Sequence, residues 1–130
     1  MRAYHLGRFA PTLPVRDIER AHAFYTRVLG FQRTFQNGDP VGFMILKSGE
    51  AELHLTLQPG WTAPNFNVAH LMVDNADALH DVCKQEGLRI IKRLQDKDYG
   101  IRGFVFEDPD GNRIDVGQRI AAFFPQAGSP

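Results

Sequence analysis

From Val15 to Leu29, apolar residues return every three or four positions, at Ile18, Ala21, Tyr25 and Val28/Leu29. That spacing lines one face of an α-helix. Asp17 stands where an N-cap carboxylate would accept from the first free amides, and Gly30 stands where a left-handed residue would end the helix. The same phase recurs at Leu79, Val82, Cys83 and Glu86, with Asn75 as the matching cap and Gly87 as the stop. The two stretches begin at Val15 and Val73, 58 residues apart. An echo of this kind marks two copies of one supersecondary unit.

Around each helix the period changes from about four to two, with branched and aromatic residues that favour strands. One strand is predicted before each helix, over residues 9–15 and 66–73. Three are predicted after it: 31–36, 41–47 and 51–58 in the first copy, and 88–94, 101–107 and 113–118 in the second. Turn residues separate them at Asn37-Gly38-Asp39-Pro40, Ser48-Gly49-Glu50 and Asp108-Pro109-Asp110-Gly111. The expected fold is α+β: two tandem βαβββ modules, 1–58 and 66–118, a linker at 59–65 and a frayed tail at 119–130. In Glu52-Leu53-His54-Leu55-Thr56-Leu57 the alternation puts Glu52, His54 and Thr56 on one sheet face, and the same rule groups Arg113 with Asp115. With helices over the leucine face, the polar face would line a cleft. Modules of this size are small, so each should pack on the other or on a second chain.

Composition narrows the functional classes. The chain has 130 residues, 43% of them hydrophobic, enough for a core without metal or disulfide staples. Fifteen basic residues balance fifteen acidic ones, which argues against nucleic acid or an anionic membrane as partner. Cys83 is the single cysteine, so no internal disulfide forms and a cytoplasmic location is expected. No secretory leader or membrane-spanning run is evident. Cys83 falls on a predicted buried helix face, no serine sits in a nucleophile elbow, and no phosphate-cradling loop is present.

Arg16-Asp17, Phe24-Tyr25 and Leu29-Gly30-Phe31 in the first copy, with residues 100–104 (Gly-Ile-Arg-Gly-Phe) and 108–112 (Asp-Pro-Asp-Gly-Asn) in the second, carry a family resemblance. Over residues 8–118 the chain resembles the vicinal oxygen chelate superfamily, which holds glyoxalase I, extradiol dioxygenases, and fosfomycin- and bleomycin-resistance proteins. The resemblance implies a cupped, eight-stranded pseudo-barrel. It also implies metal-ligand positions on the first and last strand of each module. The last-strand positions fall at His54 and Asp115, both able to ligate, and the first-strand positions at Ala10 and Val68, which carry no donor. Two donors hold a catalytic ion poorly, so no cofactor is expected. The alternative is a strand bulge that brings His70 to His54 and Asp115, giving a three-ligand site for Zn, Ni, Mn or Fe and a lyase or dioxygenase.

Within that superfamily the chain most resembles bleomycin-resistance proteins, which bind the drug without degrading it, in grooves of a dimer. That likeness implies a homodimer, with Pro11 at the position linked to exchange of the N-terminal strand; a plain edge strand would explain Pro11 as well. The family's groove tryptophan corresponds to Tyr99, its arginine to Arg102 and its glutamate to Gly103. An ion pair would explain Arg102 equally. Trp61 and Phe43, together with Phe35 and Phe66, offer stacking surface, although most of the ten phenylalanines must be core. His22 and His80 read as surface histidines, and His5 lies in the leading segment. His54 and His70 are served as well by ordinary hydrogen bonding as by a functional role. The expectation is therefore sequestration of a bulky small molecule of the bleomycin type by Tyr99, Arg102, Trp61, Phe43, His54 and Asp115. The zero net charge weighs against the cationic drug itself.

Overall fold

The computed structural model describes residues 2–120. Ten elements follow in the order expected from the repeat: β1 (Thr12–Val15), α1 (Ile18–Leu29), β2 (Gln32–Asn37), β3 (Phe43–Ser48) and β4 (Ala51–Leu57), then β5 (Asn67–Met72), α2 (Ala76–Gln85), β6 (Ile90–Asp96), β7 (Ile101–Glu107) and β8 (Arg113–Arg119). They form two four-stranded sheets with the same order, β1-β4-β3-β2 in sheet A and β5-β8-β7-β6 in sheet B. In each, the strand before the helix runs parallel to the last strand of its own module, and the other pairings are antiparallel. This is the α+β, two-module fold.

Both helices end as their sequences dictate. The Asp17 carboxylate accepts from the Arg20 amide at 3.0 Å, the Asn75 side-chain oxygen accepts from Ala78 at 3.0 Å, and Gly30 takes the left-handed conformation at φ 71°. Two boundaries move from their expected places. β1 begins at Thr12, not at residue 9, and Phe9 is fully exposed at 102%. Pro11 has no amide to give a ladder; its carbonyl accepts from His54 at 3.0 Å and pairing starts just after it. β8 runs through Arg119, so the segment expected as tail is in part strand, and from 121 onward it lies outside the described residues.

The core is one cluster shared by both modules. Ile18, Ala21, Phe24, Tyr25 and Val28 of α1 cover Leu13, Val15, Met44, Leu46, Leu53 and Leu55 of sheet A, and Cys83, Phe104, Phe106, Ile114 and Val116 extend it into the second module. Each sheet therefore buries its helix-bearing face, and among the described residues the other face is left largely open, apart from Val105 of β7, 1% exposed.

The 108–112 turn joins the modules. Tyr25 Oη donates to Asp108 Oδ2 at 2.8 Å, while Asp108 Oδ1 accepts from the amides of Asp110 and Asn112. Asn112 donates to Asp108 Oδ2 and to the Pro14 carbonyl and accepts from Trp61 Nε1 at 3.0 Å. Asp110 Oδ1 accepts from the Arg16 amide and from the Arg16 and Arg20 guanidiniums. Arg27 and Glu86 add a helix-to-helix ion pair at 2.8 Å.

Candidate functional site

The uncovered face of sheet A is built by strand alternation. Met44, Leu46, Leu53 and Leu55 point to the helix, which leaves Phe43, Ile45 and Lys47 of β3 beside Glu52, His54 and Thr56 of β4 on the opposite face. Phe35 of β2 pairs across from Ile45 and joins them. Three rings meet there edge to face: Phe35 and Phe43 with centroids 6.3 Å apart, and Phe43 and His54 at 5.5 Å. Phe35 remains 50% exposed. His54 Nε2 lies 2.7 Å from Glu52 Oε2. The hydrogen bond to His54 holds the Glu52 carboxyl below its ordinary value, and Arg8 and Lys47 act in the same direction. The face thus offers a flat apolar tier with one acidic and two basic groups at its edge.

Sheet B presents a different surface. A register shift between Asn67 and Ala69 sets His70 opposite Asp115 and Met72 opposite Gly117. His70 Nδ1 stands 2.9 Å from Asp115 Oδ2, and His70 Nε2 stands 3.1 Å from Met72 Sδ. The bulge that could reposition His70 does form. His54, however, is engaged by Glu52 in the other sheet, and among the described residues no three His, Cys, Asp or Glu side chains are grouped to hold a metal ion. His70 and Asp115 therefore stand as a two-donor pair, with His54 held apart from them among the described residues. Ala10 and Val68 contribute no donor.

The remaining sequence candidates are dispersed. Arg102 lies on the helix side of β7, held by Asp77 at 2.9 Å and Asp96 at 2.8 Å; the guanidinium in turn lowers the Asp77 carboxyl. Trp61 is tied to Asn112 at the module junction. Tyr99 sits in the β6–β7 turn, 54% exposed, with Lys97 Nζ 5.9 Å from its ring centre. Gly103 leaves no space for a glutamate or any other side chain, since an added Cβ would run into the Val116 carbonyl. Sequence reasoning missed Met72, although its position two residues beyond His70 on one strand placed it on the same face. Glu52 was legible in the alternation, but its role as the partner of His54 was not.

A cavity of about 310 Å³ opens between the modules, lined by Phe9, Leu13, Phe31, Leu53, Leu71 and Ile114 among others. Glu50, Glu52 and His70 add polar groups to this otherwise apolar lining.

The family model of the Glyoxalase/Bleomycin resistance protein/Dioxygenase superfamily matches residues 5–116. The chain belongs to that superfamily. Among solved structures of the same fold, a bleomycin-binding protein complexed with bleomycin is 27% identical, with 87% of this chain and 98% of that one covered and a TM-score of 0.69. A bleomycin resistance determinant encoded on the transposon Tn5 is 26% identical, with 88% and 98% covered and a TM-score of 0.67. A lactoylglutathione lyase from Agrobacterium tumefaciens, 19% identical over 86% and 92% with a TM-score of 0.69, shares the fold alone. No curated protein matches the chain. The superfamily's two-module plan accounts for the 58-residue echo in the sequence. No helix among the described residues is long and apolar enough to cross a membrane.

Proposed function

We propose that this superfamily member binds and sequesters a bulky, flat small molecule of the bleomycin type without transforming it. The observation that carries the reading is the exposed tier of Phe35, Phe43 and His54 on sheet A, an uncovered aromatic surface that a planar ligand can stack on. The bleomycin complex of a 27% identical relative supports the same ligand class. Phe43 and His54 form the stacking wall with Phe35, and Glu52, held by His54, Arg8 and Lys47, fixes the His54 ring at its edge. Tyr99, exposed in the β6–β7 turn, and Asp115, half-buried on β8, complete the groove from a second copy. Arg102 and Trp61, already held by Asp77, Asp96 and Asn112, position the scaffold. The protein works as a homodimer in the cytoplasm, its exposed Tyr4, Leu6 and Phe9 covered by the partner through exchange of the N-terminal arm.

Thermal unfolding with added bleomycin tests the reading. At a ligand concentration 100 times Kd, one site per chain adds about 2.7 kcal/mol. With an unfolding entropy of about 2.1 cal/mol/K per residue, this raises Tm by roughly 10 °C. Phe43→Ala should remove most of that shift. An unchanged Tm at saturating drug overturns bleomycin as the ligand, and an unchanged shift in Phe43→Ala overturns the aromatic tier as the site.

A further inference from the structure

We propose that the cleft between the two modules is a second small-molecule site, one that takes an amphiphilic cation of the alkyl- or arylammonium class. The apolar body of the ligand lies between the modules and its charge stays at the mouth. The cavity of about 310 Å³ runs into a neighbouring hollow of about 520 Å³. The two share Leu29, Phe31, Glu50, Ala51, Leu71 and Met72, so they form one continuous cleft. Its floor is apolar, with Leu13, Phe31, Leu53 and Ile114 all buried. That size and lining suit a small organic molecule, and covering its hydrocarbon supplies the attraction. Phe35, Phe43 and His54 do not line the cleft, so it is separate from the aromatic tier of sheet A.

The charges select the sign of the ligand. Glu50 stands in the β3–β4 turn of the first module and Asp74 follows β5 in the second, both exposed, so each module places one carboxylate on the lining. Among the described residues neither side chain has a hydrogen bond or an ion pair. No lysine or arginine lines either part of the cleft. Arg8 and Lys47, which share an adjoining hollow with Glu50, are both engaged with Glu52, and His70 is engaged with Asp115. An anionic ligand would meet two unpaired carboxylates, whereas an ammonium ion finds them free to receive it. Met72, exposed and unbranched, lets the wall adapt to ligands of different shape.

The test is calorimetric titration of the full chain with octylammonium, 1-octanol and octanoate, three probes of one chain length and different charge. Octylammonium should bind at one site per chain and move the methyl resonances of Met72 and Ile114, octanol should bind more weakly, and octanoate should not bind measurably. Exposed ion pairs contribute little singly, so Glu50→Gln combined with Asp74→Asn should weaken octylammonium roughly fivefold and leave octanol unchanged. High salt should narrow the same gap between the two probes. Circular dichroism checks that the double variant is folded. Octanol or octanoate binding as tightly as octylammonium, or full affinity in the double variant, overturns the proposal. So does the absence of saturable binding, or a set of shifts centred on the Phe35 and Phe43 rings in place of Met72 and Ile114.

Discussion

Replacing Tyr25 by Phe removes one oxygen atom from the centre of the molecule and little else. Tyr25 is 1% exposed, and its hydroxyl donates at 2.8 Å to Asp108, itself almost fully buried. Burial pushes the Asp108 carboxyl upward, opposed by the donors from Asn112, Tyr25 and Asp110 that surround it. Burial first, and then the nearby Asp108 carboxylate, raise the Tyr25 phenol well above its ordinary value, so it is a proton donor at every working pH. A hydrogen bond to a charged group contributes about 1.5–3 kcal/mol, and the phenyl ring fills the same volume, so the expected loss is about 2 kcal/mol. For a chain of 130 residues, an unfolding entropy near 2.1 cal/mol/K per residue converts that loss into a fall in Tm of roughly 7 °C. Calorimetry of wild type, Tyr25→Phe, Asp108→Asn and the double variant isolates the pair, with a coupling of about 1 kcal/mol or more expected. A fall in Tm below about 2 °C with no coupling would refute the claim that this bond fastens α1 to the second module.

Three further outcomes follow from local environments. Cys83, buried and with its thiol pushed up to about 11, should resist a disulfide reagent at pH 8 in the native state and react at once in denaturant; fast native labelling would contradict its burial. Because the folded Glu52 carboxyl lies below its ordinary value of 4.5, its stabilising effect is in force above that value and fades as pH falls through the lower folded value. Carbon NMR of the Glu52 side chain should therefore show a midpoint below 4.5 that rises in His54→Ala, and a midpoint at or above 4.5 in the wild type would count against the contact. Gly103→Ala forces a Cβ against the Val116 carbonyl and should cost about 1–3 kcal/mol by chemical denaturation; a neutral effect would mean that β7 and β8 do not approach as closely as described.

Helix caps, helix phase and the alternation of β4 were readable in the sequence because each depends on residues within a few positions of one another. The caps at Asp17 and Asn75 and the buried leucines of β4 are of that kind. The start of β1 was harder to place, since residues 9–11 have strand-like side chains and only the partner strand decides where pairing begins. The same holds for the bulge after Asn67: the sequence permits it, but the packing of β5 on β8 fixes it. Arg102 has a neighbour in Asp96 and a distant partner in Asp77, and which face of the sheet it occupies follows from Phe104 being buried against His80. Tyr25 and Asp108 lie 83 positions apart; nothing local links them. Trp61 was legible as an aromatic residue of the linker, but the use of its indole N–H by Asn112, 51 positions on, was not.

The corresponding turns of the two copies have taken on unequal duties. Ser48 at the β3–β4 turn donates only to Leu29 of its own module, at 3.3 Å, whereas the β7–β8 turn grips a helix, a strand end and the linker of the other half. A duplicated chain has thereby assigned cohesion to one half and released the other from it. Substitutions on the exposed face of sheet A can accumulate without loosening the join, which leaves that surface free to change its preferred guest while the architecture stays the same.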